Sequence, residues 1–565
     1  MNLVGDNPIT YDSNSKHQPR SLRSHNCIVP HVKEILIPEI KKDHLGCKQF
    51  PSCLHKKFSS SFHSFTLPKH NILAKIVIMK NKVQLTTYAD RLGGDNITEF
   101  YRLLKGPLAG LFNSVHLLPF YYPINGVDAG FDPIDHTQID PCLGNWADIK
   151  TLGQDVDLMA DLIVNHVSSS SLQFKDYSKK GDASMYSGMF LTMDSIFPDG
   201  ATEADLLAIY RPRPGLPFSY VTLENGQKRL LWTTFTKQQI DINVNHPQGK
   251  AYLQSVLQTL HDNNIRMVRL DAVGFAVKKA GSSCFMIPET FAFIKALAQE
   301  AAKLGIEVLV EIHSYFRRQI EIARQVDLVY DFALPPLVLH AIFNRTARYL
   351  KRWLAISPRN AITVLDTHDG IGVIDISADG IDPRDHPGLI PHEELDALVE
   401  RIHNNSNGQS RQATGAAASN LDLYQVNCTF YDALGRNDHD YLLARAIQFF
   451  APGIPQVYYV GLLAGENDMA LLAKSGIGRD INRHYYTPEE IDRAIQRPVV
   501  QSLFELIRFR NQHPSFDGSF SMPETRDSGI IMRWDNGVDW AMLEVDFASG
   551  LYSISNSPFE LLEPK

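Results

Sequence analysis

Eight short apolar runs, several of them separated by helical patterns, restrict this chain more than any other feature it has. They cover residues 83–88, 114–118, 158–164, 265–270, 306–310, 328–330, 362–365 and 456–459. Near-continuous apolar runs of this length are what parallel strands buried on both faces show. Between several of them lie stretches of helical spacing, such as 249–261 and 288–304. Eight strands alternating with helices predict an α/β fold, a (β/α)8 TIM barrel.

The spacing of the runs is uneven. About a hundred residues separate the third run from the fourth, too many for one crossover. This gap holds turn-rich sequence such as Tyr210-Arg211-Pro212-Arg213-Pro214-Gly215. The expected organisation is a barrel built from 79–165, 246–370 and 436–515. A lobe at 166–245 is inserted after strand 3, and a second lobe at 371–435 after strand 7. Short alternating runs near the C-terminus, such as Ile530-Ile531-Met532-Arg533-Trp534, predict a small β domain at 516–565.

Residues 1–78 differ from the rest of the chain. They hold 11 Lys/Arg against 5 Asp/Glu and 7 of the 21 histidines, with weak periodicity. They read as a disordered extension, or as a mis-assigned start ahead of a true start at Met79. His44, Cys47, Cys53 and His55 fit no standard zinc-ligand spacing, so no metal and no cofactor are expected. The formal net charge of −8 argues against nucleic acid as a partner. No apolar run reaches the length of a membrane span. The polar N-terminus lacks a secretory layout, and six scattered cysteines form no CxxC pair, which fits the cytoplasm.

The strand ends carry the chemistry. In an extended chain residues i and i+2 face the same way. Arg269 and Asp271 therefore project together at the C-terminal end of strand 4, the end where barrel enzymes act. Strand 3 ends in Asn165 and His166, strand 5 in Glu311 and His313, and strand 7 leads to His368 and Asp369. A loop after strand 2 adds Asp128 and Phe131. Three carboxylates and several histidines on one rim suit glycosidic bond cleavage. Arg269 would keep Asp271 ionised as a nucleophile. The apolar run 308–312 would raise Glu311 and suit it as the acid/base. Asp369 would stabilise an oxocarbenium-like transition state.

Arg269-Leu270-Asp271, Glu311 with His313, and His368-Asp369 resemble the catalytic motifs of glycoside hydrolase family 13, the α-amylase superfamily. Longer strings, among them 126–138, 209–218, 364–376, 413–427 and 478–486, resemble its sucrose phosphorylase branch. The resemblance implies a retaining enzyme that converts sucrose and inorganic phosphate to glucose 1-phosphate and fructose through a β-glucosyl-enzyme. Transfer to other acceptors is implied as well, and a homodimer is compatible with it. Sucrose 6′-phosphate or glucosylglycerol are alternative substrates. A catalytically inactive barrel serving as a binding subunit is the alternative from another class. The resemblance gives Asp128, Arg479, His166 and His368 to glucose hydroxyls and Phe131 to the wall of the sugar site. It gives the lobe of Tyr210 and Arg213, with Asp422, Leu423, Tyr424 and Gln425, to the acceptor side, and counts Arg269 and His313 among the substrate-binding residues. Relatives often carry tyrosine where this chain has Phe275, so one acceptor-side hydroxyl is missing.

Overall fold

Strands β1 (Gln84–Thr87), β2 (Ser114–Leu117), β3 (Asp157–Ile163) and β4 (Ile265–Asp271) form half of a closed parallel barrel. Strands β5 (Glu307–Val310), β6 (Leu328–Asp331), β7 (Ala361–Thr363) and β8 (Ile454–Tyr458) form the other half. They pair in sequence order, and β1 closes on β8 with Gln84 opposite Gln456. The computed structural model describes residues 80–125, 129–211, 215–379, 386–415 and 425–558. The segment 1–78 and the residues Met79, Asp128, Arg213, Asp422, Leu423 and Tyr424 lie outside them.

All eight strands fall where the apolar runs predict them. The largest differences are at β7 and β8. β7 ends at Thr363 rather than at residue 365, because its ladder with β8 pairs Thr363 with Pro455, which has no N–H to donate. β8 begins at Ile454, two residues ahead of its predicted start.

Helices between the strands cover the outside of the barrel. Helix α1 (Ile97–Lys105) starts at Asn96, whose side chain accepts from the Glu99 N–H. It buries Ile97, Phe100, Leu103 and Leu104, one stripe at helical spacing. Helix α2 (Pro288–Lys303) has proline at its first turn, where the missing N–H costs nothing. It buries Thr290, Ile294, Leu297 and Ala301. Inside the barrel, Met159, Met267, Leu309, Tyr330, Phe332, Ile362 and Val364 form a packed apolar cluster, so the barrel is filled rather than a pore.

The long gap between β3 and β4 holds its own small elements. The strand His166–Ser168 pairs antiparallel with Gln239–Asp241, and Phe218–Thr222 with Lys228–Trp232. After β7, Ile371–Gly372 pairs antiparallel with Gln425–Val426. The C-terminal sheet has four antiparallel strands: β9 (Ser519–Ser521), β10 (Gly529–Asp535), β11 (Trp540–Asp546) and β12 (Leu551–Asn556). Among the described residues no helix is long and apolar enough to cross a membrane.

Candidate active site

Register decides the geometry of the rim. β4 pairs with β3 so that Arg269 lies opposite Asp161. Paired residues on parallel neighbours face the same side. Both therefore point into the barrel, and the Arg269 guanidinium forms an ion pair with Asp161. The same group reaches Asp271 at 3.0 Å through Nη1 and Glu311 at 2.8 Å through Nη2. One buried arginine thus holds three carboxylates from β3, β4 and the end of β5. Burial alone would raise the Asp161 carboxyl, but Arg269 and His116, whose Nε2 is 3.0 Å away, bring it down to about 2.

Glu311 differs from its expectation. The run 308–312 predicts an apolar surround, yet Arg269 is on Oε1 and the Ala272 N–H donates to Oε2 at 3.3 Å. Ala272 adopts a left-handed backbone (φ 54°), uncommon for a residue with a Cβ. That turn directly follows Asp271 and aims its amide at Glu311. Backbone strain of this kind gathers at functional sites.

The third carboxylate, Asp369, sits among positive groups. Arg479 Nη1 is 2.6 Å from it and Arg483 Nη2 3.6 Å. Burial opposes its charge, but His368, Arg479 and Arg483 outweigh burial and hold it well below the carboxylate range. The Arg483 Nε–H donates to the His368 carbonyl at 2.8 Å, which ties the strand-7 loop to this arginine. Burial pushes His368 down to about 3, so its imidazole is neutral at pH 7. Its ring stacks on Phe131 with centroids 5.0 Å apart and planes 10° from parallel. His166 reaches the Phe131 carbonyl at 3.0 Å through Nε2.

A narrow pocket opens here, lined by Thr86, Arg269, Glu311, His313, His368 and Asp369 among others. On one flank, Tyr210, Phe235, Phe275 and Phe285 build an aromatic wall. Tyr210 stacks on Phe275 at 6.1 Å and on Phe285 at 4.5 Å. Phe235 meets both Phe275 and His166 edge-on. On the other flank, His313 stacks on Phe332 at 3.8 Å, and its Nε2 lies 3.4 Å from Gln425 Nε2. The described site residues thus converge on one rim, and chemically the arrangement offers acids and ring-stacking surfaces to a polyhydroxylated ring.

A sucrose phosphorylase of Agrobacterium vitis is 59% identical over 481 residues, which are 85% of this chain and 98% of that protein. One from Bifidobacterium adolescentis is 53% identical over 485 residues, 86% of this chain and 96% of that protein. The chain belongs to the sucrose phosphorylase family. That family lies within glycoside hydrolase family 13, and the alpha-amylase catalytic domain matches residues 110–317. The crystal structure of a sucrose 6F-phosphate phosphorylase from Thermoanaerobacter thermosaccharolyticum superposes with a TM-score of 0.78. It is 38% identical, over 86% of this chain and 97% of that one.

Sequence reasoning missed four residues that organise this family member's rim. Asp161 is the one charged residue of the run 158–164, and a lone carboxylate in a buried strand was the available signal. Asp375 in Ile374-Asp375-Ile376 gave the same signal. Arg483 follows Arg479 by four residues and carried no mark of its own. The Lys278 side chain is buried, with its ammonium 2.8 Å from Asp241 and 2.9 Å from Asn165 and bonded to the Phe275 carbonyl. It joins the end of β3, the strand Gln239–Asp241 and the turn after Asp271, a convergence visible only in three dimensions.

Proposed function

We propose that this protein is a retaining glucoside phosphorylase that converts sucrose and inorganic phosphate to α-glucose 1-phosphate and fructose. The observation that carries this reading is the 59% identity to a sucrose phosphorylase across nearly all of that protein. The geometry supports it. Asp271 is the nucleophile, kept as a carboxylate by Arg269 at 3.0 Å. It attacks the anomeric carbon, and the bond to the fructose oxygen breaks. Glu311 gives that oxygen its proton. Phosphate then attacks the β-glucosyl-enzyme from the vacated side, with Glu311 as base. Two inversions give net retention. Asp369 supports the positive charge that develops on the ring in each step. Phe131, His166, His368 and Arg479 surround the glucose. Asp128 belongs with them by sequence, and Arg213 and 422–424 with the acceptor, and Gln425 Nε2 at 3.4 Å from His313 marks the acceptor side.

A second reading, a preference for sucrose 6′-phosphate, draws on the 38% identical solved structure. A phosphorylated fructose brings a dianion that calls for cationic partners. The acceptor segment Asn420-Leu421-Asp422-Leu423-Tyr424-Gln425 offers a carboxylate and no lysine, arginine or histidine. Unphosphorylated sucrose is therefore preferred. The test is kcat/KM for sucrose against sucrose 6′-phosphate at fixed phosphate. A higher value for sucrose is expected, and a higher value for the phosphorylated sugar overturns the reading.

A further inference from the structure

His313 is held at both ring nitrogens by one excursion of the chain. Asp375 Oδ2 lies 2.8 Å from Nδ1, and Gln425 Nε2 lies 3.4 Å from Nε2. Both partners belong to the segment after β7, where Gly372 pairs with Gln425 across the short antiparallel ladder. Asp375 is fully buried and also accepts from the Ser314 N–H at 3.0 Å and from the Gln319 amide. The close fit needs Gly372, since a Cβ there would lie 2.8 Å from Asp375 Oδ2 and 3.1 Å from the His313 ring. Phe332 covers the ring face.

A buried carboxylate takes a hydrogen bond from Nδ1 only if that nitrogen carries a proton. This leaves Nε2 two states. With the ring neutral, Nε2 accepts, as from the Gln425 amide N–H. Gln425 is oriented for this because its Oε1 accepts from the Gly370 N–H at 3.4 Å. With the ring protonated, Nε2 donates and needs an oxygen acceptor.

We propose that Asp375 is a positioning residue that keeps the proton on His313 Nδ1, so that His313 Nε2 becomes the group that favours phosphate over a neutral acceptor. The inference rests on the phosphorolytic reading above. In the phosphate half-reaction the imidazolium donates from Nε2 to a phosphate oxyanion, a charge-assisted bond of the stronger kind. With fructose in place, the neutral ring accepts from a sugar hydroxyl. Among the described residues, the charged and titratable groups facing His313 include Asp375, Glu311 on β5's end and Asp369 after β7, with Tyr330 behind Phe332. Burial disfavours the imidazolium, but Asp375 and the two catalytic carboxylates outweigh it and raise His313 above its ordinary range.

The test compares how the glucosyl-enzyme divides between phosphate and water. Sucrose is the donor for both, so the donor step cancels from the ratio of phosphorolysis to hydrolysis. In Asp375→Asn the ring loses its buried counter-charge, and the ratio should fall severalfold at about pH 7.5 as less of the ring is protonated. Its decline with rising pH should also begin at lower pH than in the wild type. Equal losses of both reactions, with the pH dependence of the ratio unmoved, would make Asp375 a scaffold residue and overturn the proposal. Should Asp375→Asn not fold, His313→Gln answers the same question, since a glutamine cannot take a second proton. The same selective loss of phosphorolysis is expected, and an unchanged ratio overturns the proposal. A wild-type protein that consumes sucrose without using phosphate sinks the functional reading itself, an outcome visible before any variant is made.

Discussion

Arg269 touches Asp161, Asp271 and Glu311 at once, so no substitution among these four acts alone. Two substitutions separate the proposed catalytic roles. Asp271→Asn keeps the shape and removes the attacking charge, and turnover should fall by about 10⁴-fold or more, measured on sucrose in a folded protein. Glu311→Gln should cripple sucrose much more than α-glucosyl fluoride, whose leaving group needs little protonation. Equal losses on the two donors would remove Glu311 from the role of acid. At this scale the sequence was legible where two polar residues flank one apolar residue at a strand end, as in Arg269-Leu270-Asp271. It was not legible where a group acts from beneath. Asp161 and Asp375 bond residues 108 and 62 positions away, and only the folded chain brings them there.

Among the elements, the eight barrel strands could be read because buried parallel strands leave apolar runs that polar turns interrupt. For the stretches between β3 and β4 and after β7, the sequence offered little beyond their length. Their short strands have half-exposed residues and carry little pattern, as in Phe218–Thr222. The first barrel strand begins at Gln84 and pairs on both sides, with β2 and with β8. We therefore expect a protein starting at Met79 to fold and to turn over sucrose at a rate within about twofold of the full chain, within the small effect usual for changes away from core and site. Purification of the shortened protein with a urea midpoint and a rate assay checks this. An insoluble or inactive product would assign residues 1–78 to the working fold.

For the whole molecule, buried histidines set the response to acid. His136 and His368 are held at about 3 by burial, against an ordinary value of 6.5, and His340, His403 and His513 are lowered the same way. Between those values the unfolded chain binds protons that the native state refuses, so stability falls as pH falls. His313, raised, and Asp331, which burial pushes up to about 7, work in the opposite sense, and their contributions are lost as pH rises through the native values. Asp161 and Asp369, both depressed, add stability that disappears only below the ordinary carboxylate value of 3.8. From pH 6.5 to 5 the lowered histidines dominate, each of the two deepest costing on the order of 2 kcal/mol at 1.36 kcal/mol per unit. The urea midpoint should therefore be lower at pH 5 than at pH 7, and an unchanged or higher midpoint would contradict this balance.

Barrel closure joins the whole molecule to its rim: it brings Asp271, Glu311 and Asp369 together, and on the proposed mechanism they move glucose from sucrose to phosphate with two inversions. Proton and phosphorus NMR on a reaction of sucrose with inorganic phosphate reads this in one measurement, because the anomeric signal reports both the acceptor and the stereochemistry. The expected first glucosyl product is α-glucose 1-phosphate, formed together with free fructose. β-Glucose 1-phosphate would contradict the double displacement, and free glucose with phosphate untouched would contradict phosphorolysis.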